Sequence, residues 1–192
     1  MLLDHINKIL FDDQYFVLDF LGRLAYPIFI YLAVSSYMYY TRSKSNYIYR
    51  MFIFSIISTP FYIYTFNVYM FPLNIFVSIA LGLLTIYIIE KKGFLFIWIP
   101  FLFSLYAEYS FYSVVCFIAF YYFLNEKNIY SFILLSLSLF LLNPYYINGY
   151  LFLLLGLIYI DMNYKLNFKS FLNKYVFYAF YPLHILLLGL IK

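Results

Sequence analysis

The chain has 192 residues, 67% of them hydrophobic and only 10% charged, with 12 Lys and Arg against 8 Asp and Glu. Soluble globular domains carry about 25% charged residues, so the composition points to a membrane protein, and the small basic excess gives no reason to expect nucleic-acid binding. The lone Cys116 excludes an intramolecular disulfide and a cysteine-rich metal site.

Uncharged runs cover Leu24–Thr41, Met51–Ile89, Gly93–Ala107, Tyr109–Asn125, Asn128–Ile160 and Tyr175–Ile191. Crossing a bilayer takes about 20 apolar residues, and backbone amides in lipid must be bonded internally, so only helices or a closed barrel can span it. A barrel strand would alternate polar and apolar residues. Solid runs such as LFLLLGLIYI and HILLLGLI do not. The expected fold is an all-α, polytopic transmembrane bundle of about eight to nine spans, forming a single integral membrane domain over residues 1–192.

In chain order, Met1–Phe11 reads as the tail of a first, apparently truncated span, because eleven residues are too few to cross and no basic leader precedes them. Phe20–Tyr40 follows. Tyr47–Phe66 and Leu73–Ile89 are divided at NVYMFPLN, where Pro72 and two Asn residues break the run. Gly93–Tyr106, Tyr112–Leu124, Tyr130–Leu142 and Tyr146–Ile160 separate at EYSFY, NEKN and NPYYING, and Tyr175–Ile191 is last. Loop charge supports alternation. Arg42, Lys44, Arg50, Lys91, Lys92, Lys127, Lys165, Lys169 and Lys174 fall on one side, and Asp12, Asp13, Asp19 and Glu108 on the other. The excess of basic residues marks the first side as cytoplasmic. A cell-membrane location follows, with the amino terminus inside and the carboxyl terminus outside.

Ionisable residues inside such segments are costly and tend to face a bundle or cavity. Asp4 and His5 are adjacent, hence about 100° apart on a helix, and His5 is either a proton acceptor or an interfacial polar residue. Arg23, in GRLAYP, has Asp19 at i−4. It is either a structural clamp or a five-donor fork for a substrate carboxylate or phosphate. Arg50 is an anchor or a contact for an anionic donor. Ser55, Ser58, Thr59 and Pro60 make a polar, kinked face whose hydroxyls bond either a ligand or the preceding turn. Glu108 is a boundary carboxylate, and His184 stands deep in the last run beside Pro182. Phosphate-loop, HExxH, CxxC and GxSxG signatures are missing, and no metal is expected.

The ordered set LLDHI, GRLAYPIFIYL, YYTRS, YIYRMFIFSIISTPF, NIFVSIALGLLTIY, AEYSFYSVV and VFYAFYPLHILLLGLI resembles the TraX family of conjugal-transfer and fimbrial-assembly membrane proteins, in order over nearly the whole chain. GRLAYPIF and FYPLHILLL are its most specific parts. The resemblance implies an acyltransferase, N-acetylating a pilin-like or other envelope acceptor with acetyl-CoA as co-substrate. It places catalytic roles on Asp4, His5, Glu108 and His184, and substrate or cofactor binding on Arg23 and Arg50. Pro27, Ser58 and Pro60 also match; STPF replaces the usual SExPF, so Thr59 stands where a carboxylate is usual. In that mechanism His5 or His184 accepts the proton of the attacking amine or hydroxyl, while an arginine holds the donor or the oxyanion. The alternatives are a non-catalytic membrane assembly component of a conjugation or secretion system, and a small transporter. The bilayer is the expected partner in every case.

Overall fold

The computed structural model describes residues 1–68, 73–146, 148–151, 153–154, 156 and 174–192. The helices in chain order are α1 (Leu2–Leu10), α2 (Phe16–Ser35, prolonged by a π-helical turn, Ser36–Tyr40), α3 (Lys44–Phe66), α4 (Ile75–Lys92), α5 (Trp98–Ser104), α6 (Ser110–Glu126), α7 (Ile129–Leu142) and α8 (Lys174–Ile191). The one β-bridge among the described residues joins Leu73 to Ala107.

α4 is the central helix. Ile75, Phe76, Ser78, Ile79, Ala80, Leu81, Gly82, Leu83, Thr85 and Ile86 bury every side of it, as expected of a helix that is apolar all round. It packs against α3, α6, α5 and α2, while α3 lies along α8, α6 along α7, and α1 along α2 and α8. A Cβ on Gly82 would run into the ring of Phe117, so the absence of a side chain there is what lets α6 approach. α4 starts where the Asn74 side chain accepts from the Phe76 amide at 3.0 Å and donates to Ser55 O and Thr59 Oγ1, both at 2.8 Å. One residue therefore caps α4 and ties it to the turn of α3 that precedes Pro60.

The helical class is as expected, but the expected eight to nine spans are not built. One described helix, the 25-residue Phe16–Tyr40, is long and apolar enough to cross a membrane. Charge and length explain why α3, α4, α6 and α7 fall short, and of α8 the described stretch Tyr178–Ile191 is a shorter apolar helix. α4 has 18 residues, of which the last three are Glu90, Lys91 and Lys92. α3 has 23 residues but starts with Lys44, contains Arg50, and dilutes its apolar residues with Tyr, Ser and Thr. α6 and α7 have 17 and 14 residues, below the roughly 20 needed. The expected span Gly93–Tyr106 is a 3₁₀ turn followed by a seven-residue helix. Gly93 sits at φ 65° just after the two lysines, which ends α4 before the apolar run resumes. Pro72, and seven of the fifteen residues of the expected span Tyr146–Ile160, lie outside the described residues. With one helix of crossing length and composition among the described residues, the multi-pass cell-membrane topology, with its cytoplasmic amino terminus and external carboxyl terminus, is not supported.

Candidate functional site

α1 is the element that assembles the site. Asp4, His5 and Asn7 are its buried residues. The 100° step between Asp4 and His5 sends them to different neighbours. Asp4 faces α2, where its carboxylate meets Arg23 Nε at 3.4 Å and Lys8 Nζ, one turn along α1, at 3.2 Å. His5 faces α8, where its Nδ1 lies 3.1 Å from His184 Nε2. α1 lies this close to α2 because of Gly22, where a Cβ would stand 2.6 Å from the Asp4 amide nitrogen.

The histidine pair has a definite hydrogen arrangement. His184 Nδ1 is 2.7 Å from the Phe180 carbonyl, an acceptor only, so Nδ1 carries the hydrogen. A neutral His184 then presents a lone pair at Nε2, and His5 Nδ1–H donates to it. The rings lie 13° from parallel with centroids 5.3 Å apart. Phe66 and Tyr181 pack edge-on against His5 at 5.2 and 6.3 Å. Burial, together with the charge His184 would carry, pushes the His5 imidazole well below its ordinary value, so it stays neutral in the folded chain.

Arg23 forms the i−4 clamp expected from spacing, with Nε 3.1 Å from Asp19 Oδ1. Asp19 in turn accepts a hydrogen bond from the Tyr146 hydroxyl. Burial pushes the Asp4 carboxyl up, and its neighbour Asp19 adds to that. Arg23, Asp19, Asp13, Gln14 and Phe16 line an open cleft of about 330 Å³. Glu108 is half-buried, and burial raises its carboxyl to about 7; the β-bridge holds its backbone, with the Glu108 amide 2.9 Å from Leu73 O. Its charge reaches Met1, Tyr109 and Tyr181, which places it toward the same end of the bundle.

The structure thus brings Asp4, His5, Arg23 and His184 together, with Glu108 in electrostatic range. Arg50 is not with them. It lies 16 residues before Phe66 on α3, about 24 Å along the axis, with its guanidinium 5.8 Å from the Tyr47 ring centre. The hydroxyls of α3 bond the preceding turn: Ser55 to Phe52 O, Ser58 to Phe54 O and Thr59 to Ser55 O, at 2.6–2.7 Å. Among the described residues, no group of three His, Cys, Asp or Glu could hold a metal ion.

Three participants were missed from sequence. Lys8 stands at i+4 from Asp4, a spacing that would have revealed it. Tyr146 reaches Asp19 across 127 residues, and no local signal announces that. The third is Glu90 at the far end, which takes Lys44 at 2.8 and 2.9 Å, Tyr37 at 2.8 Å and Tyr121 at 3.3 Å.

An all-helical bundle with one membrane-length helix, and a polar seam stapling its first helix to its second and last, defines the class of protein. The chain belongs to the TraX protein family, whose model matches residues 1–192. No curated protein and no solved structure matches it. Membership associates the chain with a membrane or envelope system and, only in a general way, with acyl-transfer chemistry. The specific expectation of a polytopic membrane acetyltransferase came from the resemblance and implied a multi-span frame, which one helix of crossing length among the described residues does not provide. No coenzyme A site is evident among the described residues. That reading is set aside.

Proposed function

We infer that this protein is a non-catalytic, membrane-attached assembly component of a conjugation or envelope system. One observation carries the reading: the polar groups of α1 are engaged by the chain itself. His5 is taken by His184, His184 by Phe180 O, and Asp4 by Lys8 and Arg23. Buried polar groups paired in this way fix one arrangement of helices, and an assembly component needs a fixed shape to present to its partners. Asp4, His5, Arg23 and His184 act as a staple in this reading, with Glu108 at its edge and Arg50 as a separate anchor. A pilin-like or other envelope protein is the partner class.

The test separates stapling from proton transfer. Cells lacking the protein are complemented with wild type or with His5→Gln combined with His184→Asn, side chains that hydrogen-bond without titrating near neutral pH. Surface-filament assembly or conjugal transfer is then scored. The staple reading expects near-wild-type assembly from the amide pair. Loss of assembly by a variant that accumulates and melts like wild type would mean that the imidazoles do chemistry.

A further inference from the structure

The cleft at the start of α2 has a use that the staple leaves free. Arg23 meets its two acidic neighbours, Asp19 and Asp4, at Nε, 3.1 and 3.4 Å away, and it also lines the cleft. A guanidinium anchored at one edge in this way is pre-organised to take an oxyanion at the other. Of the two carboxylates that line the cleft, Asp19 is taken by Arg23 and by the Tyr146 hydroxyl. Asp13 is left as the cleft's additional carboxylate.

The loop carrying Asp13 is built rather than loose. Asn7, fully buried, accepts from the Tyr15 amide at 3.0 Å and donates to the Tyr15 carbonyl at 3.1 Å, and its own carbonyl accepts from the Asp13 amide at 3.1 Å. The cleft therefore offers an anion receptor in Arg23 and, on a loop whose backbone is held, a cation receptor in Asp13, with Gln14 able to donate or accept beside them. Around it Tyr15, Phe16 and Val17 are 52%, 67% and 65% exposed. Phe16 is also the first residue of the membrane-length helix, so this aromatic and aliphatic rim sits where a bilayer interface would lie.

We propose that this cleft binds the headgroup of an aminophospholipid of the phosphatidylethanolamine type, phosphate on the Arg23 terminal amino groups and primary ammonium on Asp13. A choline headgroup offers Asp13 no N–H donor, and a glycerol headgroup offers it no cation. The assignment rests on the membrane attachment proposed above.

The purified full-length chain is equilibrated in micelles holding equimolar phosphatidylethanolamine, phosphatidylcholine and phosphatidylglycerol, and the retained lipid is quantified by native mass spectrometry. Phosphatidylethanolamine is expected to be enriched about tenfold, the worth of one charge-assisted hydrogen bond. Asp13→Asn, which tolerates the φ of 60° at this position, and Arg23→Lys should each abolish the enrichment, and Arg42→Gln should leave it intact. Because Arg23 also belongs to the staple, Asp13→Asn is the deciding variant. Equal retention of the three lipids, or enrichment that survives Asp13→Asn, overturns the proposal. So does competition by soluble glycerophosphoethanolamine at the same concentration, which would make the ligand a free solute. Partition of the chain into phosphatidylcholine vesicles is scored separately. Failure there overturns membrane attachment as well, whereas partition without headgroup enrichment overturns this inference alone.

Discussion

The His5–His184 bond joins residues 179 positions apart and is buried on both sides. Removing one partner strands the other's polar nitrogen and leaves a gap, so His5→Ala and His184→Ala should each cost about 2 kcal/mol. The double variant should cost clearly less than the sum, a coupling that chemical denaturation of the four proteins would read. Glu108 gives a residue-scale pH dependence. Burial raises its folded value from 4.5 to about 7, so between those values the folded chain holds a proton that the unfolded chain has released. Its contribution to stability therefore falls as pH rises through that window. Glu108→Gln should accordingly gain stability over wild type as pH goes from 5 to 8, measured as a difference in melting temperature. His5 acts in the opposite sense. Its folded value is lowered, so the unfolded chain protonates first and stability is lost as pH falls below about 6.5. The difference measurement isolates the glutamate from it.

At the scale of elements, the contact between α1 and α2 depends on a missing side chain. Ala is intrinsically better than Gly inside a helix by about 1 kcal/mol, yet at Gly22 the added carbon meets the Asp4 backbone, which cannot rotate away. Strain of about 1–3 kcal/mol should win, so Gly22→Ala should destabilise the chain and expose α1 to limited proteolysis. Gly156→Ala, where nothing lies within 4 Å, should be neutral or stabilising, and equal effects at both sites would refute the close-packing account. Element ends were readable where a charge or breaker marks them. The expected end at Phe66 and that at Leu142 coincide with those of α3 and α7, and the expected start at Tyr175 is one residue from that of α8. The run after Gly93 misled because its apolar composition says nothing about the positive φ at Gly93 that ends α4, nor about the short helix that follows.

For the whole molecule, the assignment of one crossing helix is open to direct measurement. Phe16–Tyr40 fused to a soluble reporter should send the reporter to the membrane fraction and resist alkaline extraction, whereas Ile129–Leu142, with 14 residues, should not. Equal retention of both fusions would refute the single-span assignment. The helical class, the TraX resemblance and the pairing of Asp19 with Arg23 as one of two readings are legible in the sequence, because composition, order and i,i+4 spacing are local properties. Only the packing of the helices shows that His5 meets His184, that Tyr146 reaches Asp19 and that Arg50 stands apart, because contacts across 100 or more residues depend on how helices cross. Hydropathy marks which segments are apolar, but where each helix stops depends on its caps, charges and neighbours.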